Sequence, residues 1–256
     1  MQTPTTIKRR LNELELRSRL RARPRLQGRI LAPAGILKRL PDTAGLYFPF
    51  YHDVPGRYAD DLRRHLCAFR QRGPMVSWDD ALDILAGRRD PDGPVFCLSF
   101  DDGHLSWRDV VVPILAAEKV PATFFLTTGL VGRPGNLTWP DCRAIAAAGF
   151  AFGSHTVTHQ RLADQTGSEV VRELVASKRE IEDEVAVEVR DFAAPYGNPA
   201  VDFGEREVTA AREAGYRSFA TTLRPAMHPG GPVMGIHRQG LHPAWPLWAV
   251  RTRVHA

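Results

Sequence analysis

The sequence predicts an α/β fold, a distorted or incomplete (β/α) barrel, and three observations lead there. Short apolar runs alternate with amphipathic segments from Gly45 onward, which implies a parallel sheet with right-handed crossovers. No Gly-rich phosphate loop follows any of these runs, which favours barrel-like closure over a dinucleotide fold. A complete eight-unit barrel takes about 250 residues, and only 216 remain once the first forty are set apart, so the closure is expected to be partial.

Leu46 to Tyr51 is an apolar-aromatic run ending at His52 and Asp53, a first strand with polar groups at its exit. Helices follow over 59–71 and 77–86; Ser77 caps the second, and Asp79 and Asp80 suit its first turn. The clearest strand runs from Val95 to Phe100, after Pro91, Gly93 and Pro94, and stops at Asp101-Asp102-Gly103. A helix over 106–119 leads to a strand over 122–126; a helix over 140–148 stops at Gly149, before a buried strand at 150–152. The longest helix is expected over 167–185, then a strand at 192–194, a helix over 205–214 and a strand over 216–221. A last strand is read over 233–238, with a short packing segment over 245–250. In such folds ligands sit at the carboxyl ends of the strands.

Composition sets limits. Hydrophobic residues at 43% and charged residues at 25% exclude wholesale disorder, and no apolar run reaches the ~18 residues of a membrane span. Cys67, Cys97 and Cys142, odd in number and widely spaced, fit neither a disulfide framework nor a zinc knuckle. The net charge of +5 is unevenly placed: residues 1–40 hold eleven Lys or Arg against two acids, and residues 41–256 carry a net −4. The chain therefore divides into a basic N-terminal extension, 1–40, and a body, 41–256. Leu11, Leu14 and Ile30 can anchor an amphipathic extension whose Arg17, Arg19, Arg21 and Arg23 meet an anionic membrane. The alternative is a solvated tail, and Pro24 and Pro33 argue against one long helix. The acidic body shows no aromatic-basic groove, so nucleic acid is not an expected partner. Arginines interrupt every apolar stretch of the N-terminus, unlike a secretory signal, and the expected location is cytoplasmic.

Two patterns carry chemistry. Asp101 and Asp102 end the clearest strand, and neighbouring side chains there point in different directions. One carboxylate can bind a metal while the other faces the reacting water, and Gly103 lets the backbone turn away behind them. The bland alternative is an Asp capping the helix near Ser106. Gly153-Ser154-His155-Thr156-Val157-Thr158-His159 follows another buried strand, and a single helical turn would put both imidazoles on one face. Two neutral histidines and a carboxylate suit zinc, and also cobalt, nickel or iron, with positions left open for water and substrate.

Ser99-Phe100-Asp101-Asp102-Gly103, with His155-Thr156-Val157-Thr158-His159 about fifty residues later, resembles the first two motifs of the polysaccharide deacetylases, the NodB-homology group of carbohydrate esterase family 4. Phe192-Ala193-Ala194-Pro195-Tyr196-Gly197 resembles the third motif, and Tyr51-His52-Asp53-Val54 is similar to the strand-ending Tyr-His-x-Val of many bacterial members. The likeness runs from about Gly45 to Arg238. It implies a seven-stranded distorted barrel, a catalytic domain over 41–256, and a divalent metal, usually Zn2+ with Co2+, Ni2+, Mn2+ or Fe2+ as alternatives. The activity it implies is removal of acetyl groups from an N-acetylated glycan. It gives Asp101 the position of the catalytic base and Asp102, His155 and His159 those of the metal ligands. Tyr196 takes the position whose backbone N–H helps hold the oxyanion, with Pro195 fixing the backbone beside it.

The resemblance thins in three places. The arginine that orients the base in the third motif is Ala193 here, so that contact is missing or supplied from elsewhere. The acid of the fourth motif has no counterpart between Tyr216 and Thr222. The general acid is assigned to His237, in Met234-Gly235-Ile236-His237, which loosely resembles the final motif; His242 is the neighbour that can take its place. His52 and His104 are further polar candidates for the mouth of the site, and Trp139 is either a sugar-stacking face or a structural residue. The function implied is N-deacetylation of N-acetylglucosamine units in a bacterial surface polysaccharide or its lipid-linked precursor, in the exopolysaccharide or holdfast branch, at the inner face of the membrane. The alternatives are a deacylase of a small glycan, nucleotide-sugar or glycolipid, and a catalytically silent carbohydrate-binding protein.

Overall fold

Strand β4 (Pro94–Asp102) organises the sheet, because its nine residues are buried until the last one. The structure, a computed structural model, describes residues 44–255; the basic extension over 1–40 lies outside the described residues. Along one edge of β4 run β1 (Gly45–Tyr47) and then β2 (Pro49–Tyr51). Along the other run β3 (Met75–Val76) and then β5 (Ala122–Leu126). From β5 the sheet continues through β6 (Ala151–Ser154), β7 (Asp191–Ala193) and β8 (Ser218–Ala220), and β2 carries β9 (Gln239–Gly240). Every strand pairing is parallel. The sheet curls through 241° without closing, the distorted, incomplete barrel that the sequence predicts. Among the described residues it holds nine strands, seven of them on the main path.

The gap is crossed by the segment leading into β9. Thr221 N–H donates to the Ile236 carbonyl at 2.7 Å and Ile236 N–H to the Phe219 carbonyl at 2.9 Å, so Ile236 pairs with β8 just before the chain joins β2.

Among the described residues seven α-helices accompany the sheet: α1 (Ala59–Arg70), α2 (Trp78–Leu85), α3 (Val112–Glu118), α4 (Trp139–Ala147), α5 (Gly167–Val185), α6 (Glu205–Glu213) and α7 (Leu247–His255). Their starts are written locally. Ser77 Oγ accepts from Asp80 N–H at 3.1 Å, and Thr138 with Asp141 and Thr166 with Glu169 form capping boxes. No helix among the described residues is long and apolar enough to cross a membrane.

The two-residue period of β4 sorts its side chains. Phe96, Leu98 and Phe100 face the helices, in a core with Phe124, Phe152, Phe192, Phe219 and the fully buried Trp107. Phe100 stacks on Phe124 at 5.3 Å. Val95 and Cys97 face the barrel interior with Phe48, Phe125, Ala193, Ala220 and Ile236. By the same alternation Ser99 and Asp101 belong to that interior, which is why Asp101 is buried.

Several elements differ from expectation for identifiable reasons. The first apolar run splits at Phe48, whose N–H donates to the Gln239 side chain at 2.8 Å instead of to a strand. The helix expected over 106–119 begins as a π-turn over Trp107–Val111, because Pro113 brings no N–H to the ladder. The strand expected over 233–238 does not form. Pro232 leads into a 3-10 turn over Val233–Gly235, Ile236 makes a single bridge to β8, and the last strand starts at Gln239.

Candidate active site

The carboxyl ends of β4, β6 and β7 bring together Asp101, Asp102, His155, His159 and Tyr196. Asp102 Oδ1 lies 3.2 Å from His159 Nε2 and 3.5 Å from His155 Nε2. Ligand atoms about 2.0–2.1 Å from an ion at the tetrahedral angle lie roughly 3.3 Å apart, so these three atoms have the spacing of a divalent-metal donor set. Asp102 Oδ1 is also buried and makes no hydrogen bond. A buried oxygen facing two imidazole nitrogens with no hydrogen-bond partner is the environment a cation completes.

The charge states of His155 and Asp102 suit ligation. Burial pushes His155 down to about 4, against the opposing pull of Asp101 and Asp102, so it is neutral at pH 7. Its Nδ1–H donates to the Ala193 carbonyl at 2.7 Å, which leaves the Nε2 lone pair facing Asp102. Burial would raise Asp102, but the neighbouring imidazoles, His104 and His159 first and then His155 and His52, hold it well below the usual carboxylate range. Burial would lower His159, and the Asp102 carboxylate outweighs it, so His159 sits above its ordinary value.

The histidines do not share a helical turn. Residues 155–160 form a loop in which Thr156 and His159 adopt positive φ of 67° and 57°. Asp102 at 90° and Tyr196 at 62° do the same, so four of the seven non-glycine residues with positive φ among the described residues are at this site. Such backbone costs of order 1–3 kcal/mol per residue and persists only where the surroundings over-determine it. Thr128 N–H and Gly129 N–H donate to the carbonyls of Thr156 and Val157 at 3.1 and 3.0 Å. A Cβ on Gly129 would come within 2.5 Å of the Val157 oxygen, so only glycine permits this approach.

Asp101 is held by a residue that sequence reasoning missed. Arg238 forms a bidentate pair with it, Nη1 to Oδ1 at 2.7 Å and Nη2 to Oδ2 at 2.8 Å. The guanidinium is fully buried. It lies 4.4 Å from the Phe50 ring centroid and 5.2 Å from that of Phe125, and Nη1 also reaches Ser99 Oγ at 3.3 Å. The contact absent at Ala193 on β7 is thus supplied from the segment before β9. The signal in the sequence was an arginine within an otherwise apolar approach to the last strand.

Tyr196 follows β7 with its backbone N–H free of any partner among the described residues. Its ring lies 5.2 Å from that of His159, and its carbonyl accepts from Thr222 Oγ at 2.9 Å. Parallel pairing of Pro49 with Gln239 and of Phe50 with Gly240 puts His242 level with His52, at the mouth. Ala244 N–H donates to His242 Nδ1 at 3.1 Å, so the ring proton of the neutral form is on Nε2. Burial lowers His242, with Asp53 opposing and His52, Arg57 and His65 adding to the depression.

His237 is not brought to the site. The same register puts it level with Tyr47, which pairs with Phe96, five residues before Asp101. Its Nδ1–H donates to the Pro225 carbonyl at 3.1 Å, and its backbone N–H lies 3.2 Å from Met227 Sδ. His104 joins the site, with Nε2 3.4 Å from Asp102 Oδ2. His52 is exposed against Phe50. Trp139 opens α4 and packs on the main core, a structural placement.

A family model described as polysaccharide deacetylase matches residues 88–219, just over half of the chain. The chain belongs to the polysaccharide deacetylase family. Among curated relatives, Chitin deacetylase 1 of Cryptococcus neoformans var. grubii is 29% identical over 109 residues, 42% of this chain and 22% of that protein. The chitooligosaccharide deacetylase of Rhizobium leguminosarum bv. phaseoli is 35% identical over 99 residues, 37% of this chain and 42% of that protein. The chain therefore matches less than half the length of these relatives. Among solved structures, IcaB from Ammonifex degensii aligns with a TM-score of 0.70 at 24% identity, over 83% of this chain and 98% of that one. The Streptococcus pyogenes deacetylase PplD, in complex with acetate, aligns at 0.71 and 20% identity, over 85% and 100%. These likenesses show the fold. In this chain the Asp102, His155, His159 cluster is able to chelate a divalent metal, an arrangement consistent with metal-dependent amide hydrolysis.

Proposed function

We propose that this chain removes N-acetyl groups from N-acetylglucosamine units of a bacterial surface polysaccharide or its lipid-linked precursor. The observation that carries the reading is the convergence of Asp102, His155 and His159 beside a second, rigidly held carboxylate, Asp101. A divalent cation there, zinc first by its donor set, would polarise an acetamide carbonyl and acidify water. Asp101 serves as the base. Arg238 takes one lone-pair direction on each of its oxygens and leaves the others for the attacking water. The unpartnered N–H of Tyr196 donates to the carbonyl oxygen as negative charge builds on it. His242, at the mouth, takes the general-acid role assigned from sequence to His237: its imidazolium form gives one proton to the leaving amine and is left as the neutral imidazole.

Relatives named for chitin and chitooligosaccharides support N-acetylglucosamine as the sugar. The charge of the basic extension supports contact with anionic lipid at the cytoplasmic face of the membrane, where a precursor would be met before export. The deciding experiment is acetate release by zinc-reconstituted protein from short and polymeric N-acetylglucosamine substrates. Metal bound with no acetate released from either would overturn the reading and leave carbohydrate binding in its place.

A further inference from the structure

We infer that Glu173, on α5, is a positioning residue that fixes the His155–His159 loop and thereby sets the affinity of a metal site it does not touch. The inference rests on the metal-site reading above. Glu173 is 7% exposed, and among the described residues no Lys, Arg or His pairs with its carboxylate. Its oxygens are taken up by the loop between the two histidines. Oε2 accepts from Val157 N–H at 2.8 Å and Thr158 N–H at 2.9 Å, and Oε1 accepts from Thr158 Oγ at 2.8 Å. A buried carboxylate without a counter-charge is costly unless its lone pairs are filled, and here one short loop fills three of them with charge-assisted bonds.

The grip falls between Thr156 and His159, the two residues of the loop held in left-handed backbone. The histidines at its ends are not equally secured. His155 has its own anchors, with its N–H on the Leu126 carbonyl at 2.9 Å and its ring on the Ala193 carbonyl at 2.7 Å. His159 has one backbone bond, to Thr156 Oγ at 3.1 Å, inside the loop itself. Release of Val157 and Thr158 would let the strained backbone relax and carry His159 away from Asp102, while His155 stayed. Glu173 acts on the ion through the placement of His159.

The test is Zn2+ titration by calorimetry, with the visible absorbance of bound Co2+ as a second readout, on wild type, Glu173→Ala, Glu173→Gln and Thr158→Val. Asp191→Asn, on β7 away from the loop, is the control for plain loss of stability. Glu173→Ala should weaken Zn2+ binding by about 10–100-fold, the range for residues that orient ligands. Glu173→Gln keeps one oxygen for the two backbone amides and loses the charge, so its loss should be smaller. Thr158→Val removes one hydrogen bond and should cost a few-fold. Excess Zn2+ should restore most of the turnover of each. Asp191→Asn should melt earlier with Zn2+ affinity unchanged. Glu173 variants that melt earlier yet bind Zn2+ as tightly as wild type would overturn the inference and leave a purely structural carboxylate. If Glu173→Ala does not fold, Glu173→Gln and Thr158→Val decide in the same terms. If wild type itself binds neither Zn2+ nor Co2+, the metal-site reading fails first and the role of Glu173 fails with it.

Discussion

Asp101 and Asp102 are adjacent, yet the pleat of β4 sends one into the barrel against Arg238 and leaves the other at the lip between two histidines. Exchange of either for Asn should therefore fail differently. Asp101→Asn keeps side-chain size but removes the proton acceptor, so zinc should stay bound near stoichiometry while turnover drops by about 10²–10⁴-fold. Asp102→Asn should lose activity through weak metal binding, and excess zinc should recover part of it. Calorimetric titration beside the acetate assay reads both, and the opposite pattern would exchange the two roles. Arg238→Met leaves the buried Asp101 without its partner, which costs about 3–5 kcal/mol for such pairs. Urea unfolding should show that loss, and Arg238→Lys should not restore it, because an ammonium cannot make the bidentate contact. The metal ligands were legible because two strand-ending motifs repeat a known pattern at the right separation. Arg238 was not, since an arginine in the approach to the last strand does not reveal a partner 137 positions away.

At the level of elements, helices were legible through their caps and strands through apolar runs between Gly and Pro. The final strand misled because Pro232 imposes a turn that an apolar pattern does not reveal, and with it shifted the residue aligned to the mouth. That register makes a prediction. His242→Asn should lower acetate release by about 10²–10⁴-fold for a lost general acid, whereas His237→Asn should stay within a few-fold of wild type. The reverse result in the same assay would return the role to His237. Helix α1 makes another. Tyr51 Oη donates to His65 Nδ1 at 2.9 Å, and His65 Nε2–H donates to the Trp245 carbonyl at 2.8 Å. Burial lowers the pKa of His65, and the Trp245 carbonyl and Asp61 only partly oppose it. The unfolded chain therefore binds this proton at higher pH than the folded one. The stability it contributes is complete above about pH 6.5 and is lost as pH falls toward the folded value, with a slope of at most about 1.4 kcal/mol per pH unit. Urea melts between pH 7 and 5 should show the slope, and His65→Gln should flatten it.

Across the whole molecule, charge is divided rather than averaged. The body has a net −4 and by itself is repelled by anionic lipid; the extension has eleven basic side chains. Removal of residues 1–40 should leave acetate release from a short soluble substrate nearly unchanged. Binding to anionic liposomes should fall and lose its salt dependence. Equal liposome binding by both proteins at low salt would show that the extension is no membrane contact. The overall architecture was legible from the march of strands and helices, whereas the way the barrel ends was not. A sheet that stops at 241° has two edges, and an unpaired edge is a template on which a strand of another molecule can add. On the β8 side that template is already used: the Phe219 carbonyl and the Thr221 N–H are both taken by Ile236. The β9 edge is two residues long, too short to guide a ladder. The stretch of chain that delivers Arg238 to the base thus also occupies the edge at which self-association by strand exchange would begin.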